Sequence, residues 1–230
     1  MTATCLIVRG GWSGHDPVGQ TDAMRPHLER RGFALDVEDS PEVYADATRM
    51  ATYDLVVQAV TNGAITDAQS AGLRAAVEGG AGLAGWHGGL IAAYRGQLDY
   101  LQMLGAQFVA HPASRATPDE PQYRRYRVTP TPLGAAHPIT AGVAEFEVVT
   151  EQYWVLADGL NNVLATSTLA PEEGDAWHGP ATMPAVWTRR WGAGRIFVHT
   201  LGHDLTTLRR PEVETVVLRG MEWAARQARP

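Results

Sequence analysis

The hydrophobic pattern of the chain alternates between short apolar runs and longer amphipathic segments. The apolar runs, each followed by glycine or polar residues, predict buried strands at residues 5–8, 33–37, 54–59 and 82–86. The segments between them predict helices at residues 18–31, 69–78 and 96–104. Because alternating strands and helices are typical of a parallel sheet covered on both faces, the first half of the chain predicts an α/β fold.

The pattern changes after residue 104, where short segments are separated by proline and glycine. It predicts strands at residues 123–128, 145–149, 163–168, 185–189 and 195–200, followed by a helix at 212–226. Composition does not break along the chain, and no internal repeat is present. We therefore expect a single domain over residues 1–230, with a mostly parallel central sheet, helices on both faces and antiparallel additions in the second half.

Composition narrows the possible chemistry. All 19 basic side chains among the 230 residues are arginine, which excludes lysine Schiff bases, pyridoxal phosphate and a P-loop lysine. The one thiol, Cys5, lies in the first apolar run, where we expect it to be buried. The turn at residues 10–14 lacks the glycine spacing of a dinucleotide fingerprint, so we expect no NAD.

Charge and hydropathy indicate the partners and the location. The formal net charge is −6 and no long basic stretch is present, so we expect neither a nucleic-acid partner nor a membrane partner. The nearest candidate is the group Arg124, Arg125 and Arg127, which we interpret as the solvated face of a strand. No apolar run approaches the length of a membrane span and no signal-peptide pattern is present, so the expected location is cytoplasmic.

Several side chains with catalytic potential follow predicted strands. Six of them share this position: His15, His87, His111, Glu151, Tyr153 and His203. Ligands of open α/β sheets bind at the carboxyl ends of the strands, so we expect these side chains to converge there. By contrast, His199 falls inside a predicted strand, where we expect it to pack or to cap.

The most informative stretch is Gly-Trp-His-Gly-Gly at residues 85–89, directly after a buried strand. This is the spacing of a nucleophile elbow, in which the central side chain projects from a sharp turn. Here that residue is His87, which is interpreted as a general acid or base or as a metal ligand. The alternative is a glycine-rich turn in which His87 only forms a hydrogen bond with a backbone group.

A series of motifs resembles the ThuA-like trehalose-utilisation family. The matching segments lie in order at residues 85–89, 104–108, 111–112, 137–142, 151–153, 184–187, 192–197 and 201–204. The resemblance implies a flavodoxin-like sheet similar to class I glutamine amidotransferases, whose elbow presents a cysteine. Because His87 stands there and Cys5 lies elsewhere, we expect no glutaminase activity. One departure is Thr150, where the family often has an acidic residue.

The family's association with trehalose breakdown and 3-keto-sugars implies a small sugar substrate. Two chemistries fit the six side chains. A divalent metal, either Zn, Mn, Fe or Ni, has four candidate ligands: His15, His87, His111 and His203. Without metal, His87 and His203 act as base and acid with Glu151 orienting one of them, and Tyr153 completes the catalytic set. Both chemistries suit proton abstraction beside the ketone of a 3-keto-disaccharide.

Aromatic rings near these loops are candidates for a sugar platform. The candidates are Trp12, Trp86, Tyr94, Tyr153 and Trp154, of which we expect about two to line a pocket. Trp12 and Trp86, together with His15 and His111, are our predicted substrate contacts.

Three classes of function remain open at this stage. The first is an isomerase or lyase acting on an oxidised sugar. The second is a sugar-binding or regulatory relative without catalysis, and the third is a metal-dependent hydrolase. Fold analogy also predicts a homodimer.

Overall fold

A nine-stranded sheet forms the centre of the protein in a computed structural model that describes residues 2–112 and 122–226. Two further strands form a small separate sheet. The strands are β1 (Ala3–Gly11), β2 (Phe33–Glu38), β3 (Leu55–Thr61), β4 (Gly82–Trp86), β5 (Ala106–Ala110), β6 (Tyr123–Pro130), β7 (Phe146–Glu151), β8 (Trp154–Ala157), β9 (Asn162–Leu169), β10 (Ala181–Trp191) and β11 (Gly194–His199).

Eight helices surround the sheets in the described residues, and several are single turns. They are α1 (Pro17–Arg30), α2 (Ala47–Met50), α3 (Asp67–Glu78), α4 (Gly88–Ile91), α5 (Leu98–Leu104), α6 (Pro132–Ala136), α7 (Leu205–Leu208) and α8 (Pro211–Ala224). Two 3₁₀ turns, Ser13–His15 and Pro41–Ala45, complete the set. None of the described helices combines the length and apolarity that a membrane span requires.

Strand order in the large sheet is β2-β1-β3-β4-β11-β10-β9-β6-β7. The first five strands are parallel, and β11 to β7 pair antiparallel. Every residue of β3 and β4 is buried, as strands covered on both faces require. The order reverses between β1 and β3, so their carboxyl ends flank the crevice where open α/β sheets bind ligands.

Two apolar cores, one on each face, hold the helices against the sheet. One face packs on α3 and α5, and the other face packs on α1 and α8 through residues such as Met24, Leu28, Val217 and Met221. Cys5 is fully buried in β1, as expected, and burial raises the pKa of its thiol. The predicted α/β class, with its parallel strands, helices on both faces and antiparallel additions, is confirmed.

Two expectations about strands need correction. The pair β5 and β8, which is antiparallel, was not predicted as strands. In β6 the side chains alternate: Arg125 and Arg127 are exposed and pair with Glu147 and Glu145, but Arg124 is only 5% exposed. The arginine cluster is therefore not one solvated face, because successive side chains of a strand point to opposite sides.

Candidate active site at the carboxyl edge

His15 reaches the crevice from the 3₁₀ turn that follows β1. Its side chain is buried, and its Nδ1 lies 2.7 Å from the Oγ1 of Thr61 at the end of β3. The ring packs so closely on Gly88 that a Cβ there would lie 2.7 Å from the His15 Cε1. Glycine at residue 88 is therefore a condition for the position of His15. Burial, and then the nearby His87, lower the pKa of His15 to about 3, so its ring is neutral at pH 7.

His87 occupies the sharp turn between β4 and α4. Its backbone has φ 48° and ψ −146°, a left-handed conformation that residues other than glycine rarely adopt. The Nδ1 atom lies 2.8 Å from the carbonyl oxygen of Thr200. Because a carbonyl only accepts, Nδ1 carries the proton of the neutral ring and the Nε2 lone pair faces the site. Burial lowers the pKa of His87 and favours that neutral ring.

Backbone strain is concentrated around this turn. Among the described residues, four that are not glycine have positive φ: Asp16, Asn62, His87 and Tyr94. Asp16 and Asn62 directly follow His15 and β3, and Asn62 forms an isolated bridge to Ala93, beside Tyr94. All four therefore belong to the segments that follow the carboxyl ends of β1, β3 and β4. Strained backbone of this kind clusters at functional sites.

Glu151 ends β7 and is only 4% exposed. Its Oε2 lies 2.9 Å from the Nε2 of His111, 3.0 Å from the Nε2 of His87 and 3.2 Å from the Nδ1 of His203. Burial raises the pKa of Glu151, but the three imidazoles outweigh burial and hold that pKa well below its usual range. The buried carboxylate is therefore ionised at neutral pH.

His203 follows β11 and is fixed through its backbone by Gln20 of α1. The Gln20 amide donates to the carbonyl oxygens of Gly202 and His203, at 3.0 Å each, and its Oε1 accepts from the indole N–H of Trp86 at 2.5 Å. Sequence reasoning missed Gln20. The available signal was a buried polar residue in the spacing of the apolar stripe that includes Met24 and Leu28.

Tyr153 closes the site from the segment that follows β7. Its hydroxyl lies 2.6 Å from the His87 Nε2, and the two rings stack with centroids 4.4 Å apart. Burial, and then Glu151, raise the pKa of Tyr153 well above its usual value, so the phenol keeps its proton. His111 lies on the open side, with its ring 5.1 Å from that of Tyr153 and about a third (32%) of its side chain exposed.

Four of these side chains could together hold a metal ion. His15, His87, Glu151 and His203 each offer one ligand atom, and the four atoms lie within 4.8 Å of one another. The Glu151 Oε2 and the His203 Nδ1 are buried without a hydrogen-bond partner, although they lie 3.2 Å apart. Three imidazole nitrogens and one carboxylate oxygen suit a divalent transition metal. Glu151 thus joins the predicted ligands, whereas His111 lies outside this group.

The aromatic candidates differ in what they offer a ligand. Trp12 is 50% exposed, and its ring lies 4.7 Å from that of His15. Trp86 is only 2% exposed, so its predicted role as a sugar platform is wrong: the indole has no free face and instead anchors Gln20. Tyr94 is also buried, and Trp154 packs against Trp177.

Two other predictions concern residues beside the site. His199 is buried in β11, and its Nδ1 accepts from the N–H of Leu201, which confirms the packing and capping interpretation. Thr150 is buried, and its hydroxyl contacts that of Thr207 on α7 at 3.4 Å. Its hydroxyl therefore contributes to the packing of α7.

The motif series and the geometry agree with a known family. The family model described as ThuA, trehalose utilisation, matches residues 4–224. The chain belongs to the ThuA family. No curated protein was found that matches the chain.

Solved structures with the same fold include two putative ThuA-like proteins. The one from Parabacteroides merdae is 18% identical with a TM-score of 0.73, covering 100% of this chain and 94% of its own. The one from Bacteroides uniformis is 16% identical with a TM-score of 0.72, covering 96% and 91%. A Salmonella typhimurium protein described as cytoplasmic is 13% identical with a TM-score of 0.64, covering 97% and 100%. At these identities, the likeness shows the ThuA fold alone.

Proposed function

We propose that this ThuA protein is an enzyme of disaccharide breakdown that binds a divalent metal and isomerises an oxidised sugar. One observation carries the proposal. The buried Oε2 of Glu151 is approached by three imidazole nitrogens at 2.9 to 3.2 Å, yet none of these contacts has the geometry of a hydrogen bond. A buried charge without such bonds is costly, so the arrangement favours a cation as the missing partner.

The metal would be held by His15, His87, Glu151 and His203. There it would act as a Lewis acid and stabilise negative charge on a substrate oxygen. The neutral ring of His87 suits this role, because Thr200 fixes the proton on its Nδ1.

The remaining two side chains supply proton transfer. His111, outside the ligand group and partly exposed, takes the proton from the carbon beside the ketone of a 3-keto-disaccharide. The C–H electron pair forms a carbon–carbon double bond, the electron pair of the C=O double bond moves to the ketone oxygen, and this oxygen takes the Tyr153 proton to give a neutral enediol. Return of the proton from His111 to the former ketone carbon then moves the carbonyl group by one position. Tyr153 recovers its proton from the hydroxyl that becomes the new carbonyl, so the overall change is an isomerisation.

Substrate binding is assigned to the open side of the site. Trp12 presents a free aromatic face beside His15, and apolar sugar faces pack on such rings.

Glutaminase activity should be absent, because His87 stands at the elbow and the only cysteine is buried in β1. The description of a Salmonella relative as cytoplasmic supports a cytoplasmic location here. The homodimer stays a prediction.

The first test is elemental analysis of protein purified without a histidine tag. We expect near-stoichiometric metal in the wild type and none in the His87→Ala, His203→Ala double variant. His178→Ala is the matched control, because this residue is exposed in a loop and lies outside the ligand group. Equal metal content in the wild type and the double variant would contradict the assigned ligands.

The second arm measures chemistry on a 3-keto-disaccharide in heavy water. We expect deuterium to enter the carbon beside the ketone in the wild type, and not with the unoxidised disaccharide. Hydrolysis of simple esters or amides without exchange would instead identify a metal-dependent hydrolase. Sugar binding without turnover would identify a non-catalytic relative.

A further inference from the structure

A cavity separate from the histidine site lies at the opposite edge of the sheet, beside the amino ends of β4 and β11. Its volume is about 220 Å³. Three arginines line it, namely Arg190, Arg195 and Arg226, and the rest of the lining is glycine and alanine at residues 79–80, 193 and 224–225. Among the described residues, no acidic side chain is part of the lining. Arg195 and His199 are four residues apart on β11, or about 13 Å at roughly 3.3 Å per residue, so this cavity is separate from the histidine site.

Two of the three positive charges are not neutralised by the described residues. Arg226 lies 3.3 Å from the Oδ1 of Asp54. Arg195 donates to the carbonyl of Trp223 and stacks on its ring, whereas the side chain of Arg190 makes no hydrogen bond or ion pair in the part of the chain that the structure describes. Neither Arg190 nor Arg195 contacts a carboxylate there.

The two unneutralised arginines are also forced together. They face each other directly across the antiparallel pair of β10 and β11. Like charges in this position destabilise a sheet. Burial, and then the charge of Arg190, lower the pKa of Arg195, which reports the same repulsion. An anion between the two guanidinium groups would remove this repulsion.

We propose that this cavity binds phosphate, either as the free ion or as the phosphate group of a small monoester. One guanidinium group can bind two phosphate oxygens at once. A phosphate monoester carries about −1.5 to −2 charges at pH 7, which matches the two unneutralised arginines. The volume lies below the roughly 300 to 1,000 Å³ of most small-molecule pockets, which favours a group of this size over a disaccharide. This inference is independent of the proposed function.

The test is calorimetric titration of the full chain with inorganic phosphate at constant ionic strength, after dialysis against a chelator to remove metal. We expect one phosphate to bind per chain. Arg190→Gln should weaken binding at least tenfold, because it removes an unpaired guanidinium. Arg30→Gln, an exposed arginine at the end of α1, is the control and should leave binding unchanged. The His87→Ala, His203→Ala variant should bind as the wild type does.

In thermal unfolding, the order of the melting temperatures of the wild type and Arg190→Gln should depend on phosphate. In phosphate-free buffer of low ionic strength, Arg190→Gln should melt at or above the wild-type temperature, because a like-charge pair is removed. With phosphate, the wild type should gain stability and the variant should not. Equal phosphate binding by both proteins, or none by the wild type, would overturn the proposal. Tighter binding of a hexose phosphate than of inorganic phosphate would identify a monoester as the ligand, and equal binding would identify the free ion.

Discussion

The two halves of the sheet contribute different chemistry to the candidate active site. Strands β1, β4 and β11 of the parallel half lead to His15, His87 and His203. The antiparallel half supplies the acid and the phenol, Glu151 and Tyr153, from the segment that crosses from β7 to β8. The three imidazoles therefore follow strands of the parallel half, whereas the carboxylate comes from the end of β7 and the phenol from the connection to β8.

The two halves also fix their side chains differently. In the parallel half, groups at neighbouring strand ends or on α1 hold the imidazoles, as Thr200 does for His87. In the antiparallel half, two hydrogen bonds hold the start of the connection between β7 and β8. The Tyr126 hydroxyl donates to the carbonyl of Glu151 at 2.9 Å, and the Gln152 amide donates to the Ser167 hydroxyl. We therefore expect the imidazole cluster to keep its place without the Glu151 carboxylate, but to bind a metal more weakly because the negative charge is gone.

The largest effect should follow the isosteric change Glu151→Gln. It keeps the shape of the connection and removes the negative charge that faces three imidazoles. Metal affinity should fall by more than the roughly 10- to 100-fold loss that follows removal of an outer-shell partner. Metal titration of the apo-protein measures the effect, with Glu147→Gln, on the exposed face of β7, as the control. Wild-type affinity in Glu151→Gln would assign metal binding to the parallel half alone.

A more selective effect should follow Tyr153→Phe, which separates proton transfer from metal binding. The phenol is outside the ligand group but lies 2.6 Å from the His87 Nε2. Removing a positioned general acid should lower kcat by roughly 10²- to 10⁴-fold, while metal content stays at the wild-type level. Loss of metal in Tyr153→Phe would show that this residue supports the ligands instead.

The smallest effect concerns stability and addresses the parallel half alone. Burial lowers the pKa of both His15 and His199 to about 3, against about 6.5 in an unfolded chain. The unfolded chain therefore binds protons first as pH falls. Stability from these rings is therefore present above pH 6.5 and is lost as the pH falls from 6.5 toward 3, at about 1.4 kcal/mol per pH unit for the fully buried His199.

Urea unfolding at pH 7.0 and pH 5.5 measures this loss. His199→Gln should show a smaller decrease between the two pH values than the wild type, whatever its stability at pH 7.0. His178→Ala, at an exposed loop residue, should show the wild-type decrease. An unchanged pH dependence in His199→Gln would mean that this ring does not stay neutral in the folded protein.

Sequence patterns predicted the fold where each element is long or buried, as in β3, β4 and α8. They missed β5 and β8, because β8 has four residues and pairs with a strand more than 40 residues away. The six candidate side chains were predictable because each follows an apolar segment. The roles of Thr61, Thr200 and Gln20 were not predictable, since they depend on which strand ends and which helix become neighbours. Trp86 was misassigned because its ring turns inward, which the sequence does not encode locally.

The left-handed backbone at His87 has a consequence for how relatives of this protein change over time. Each such conformation costs on the order of 1 to 3 kcal/mol, so selection for activity must continually oppose a drift toward glycine at this position. A lineage freed from that selection would gain stability from the substitution that destroys the site.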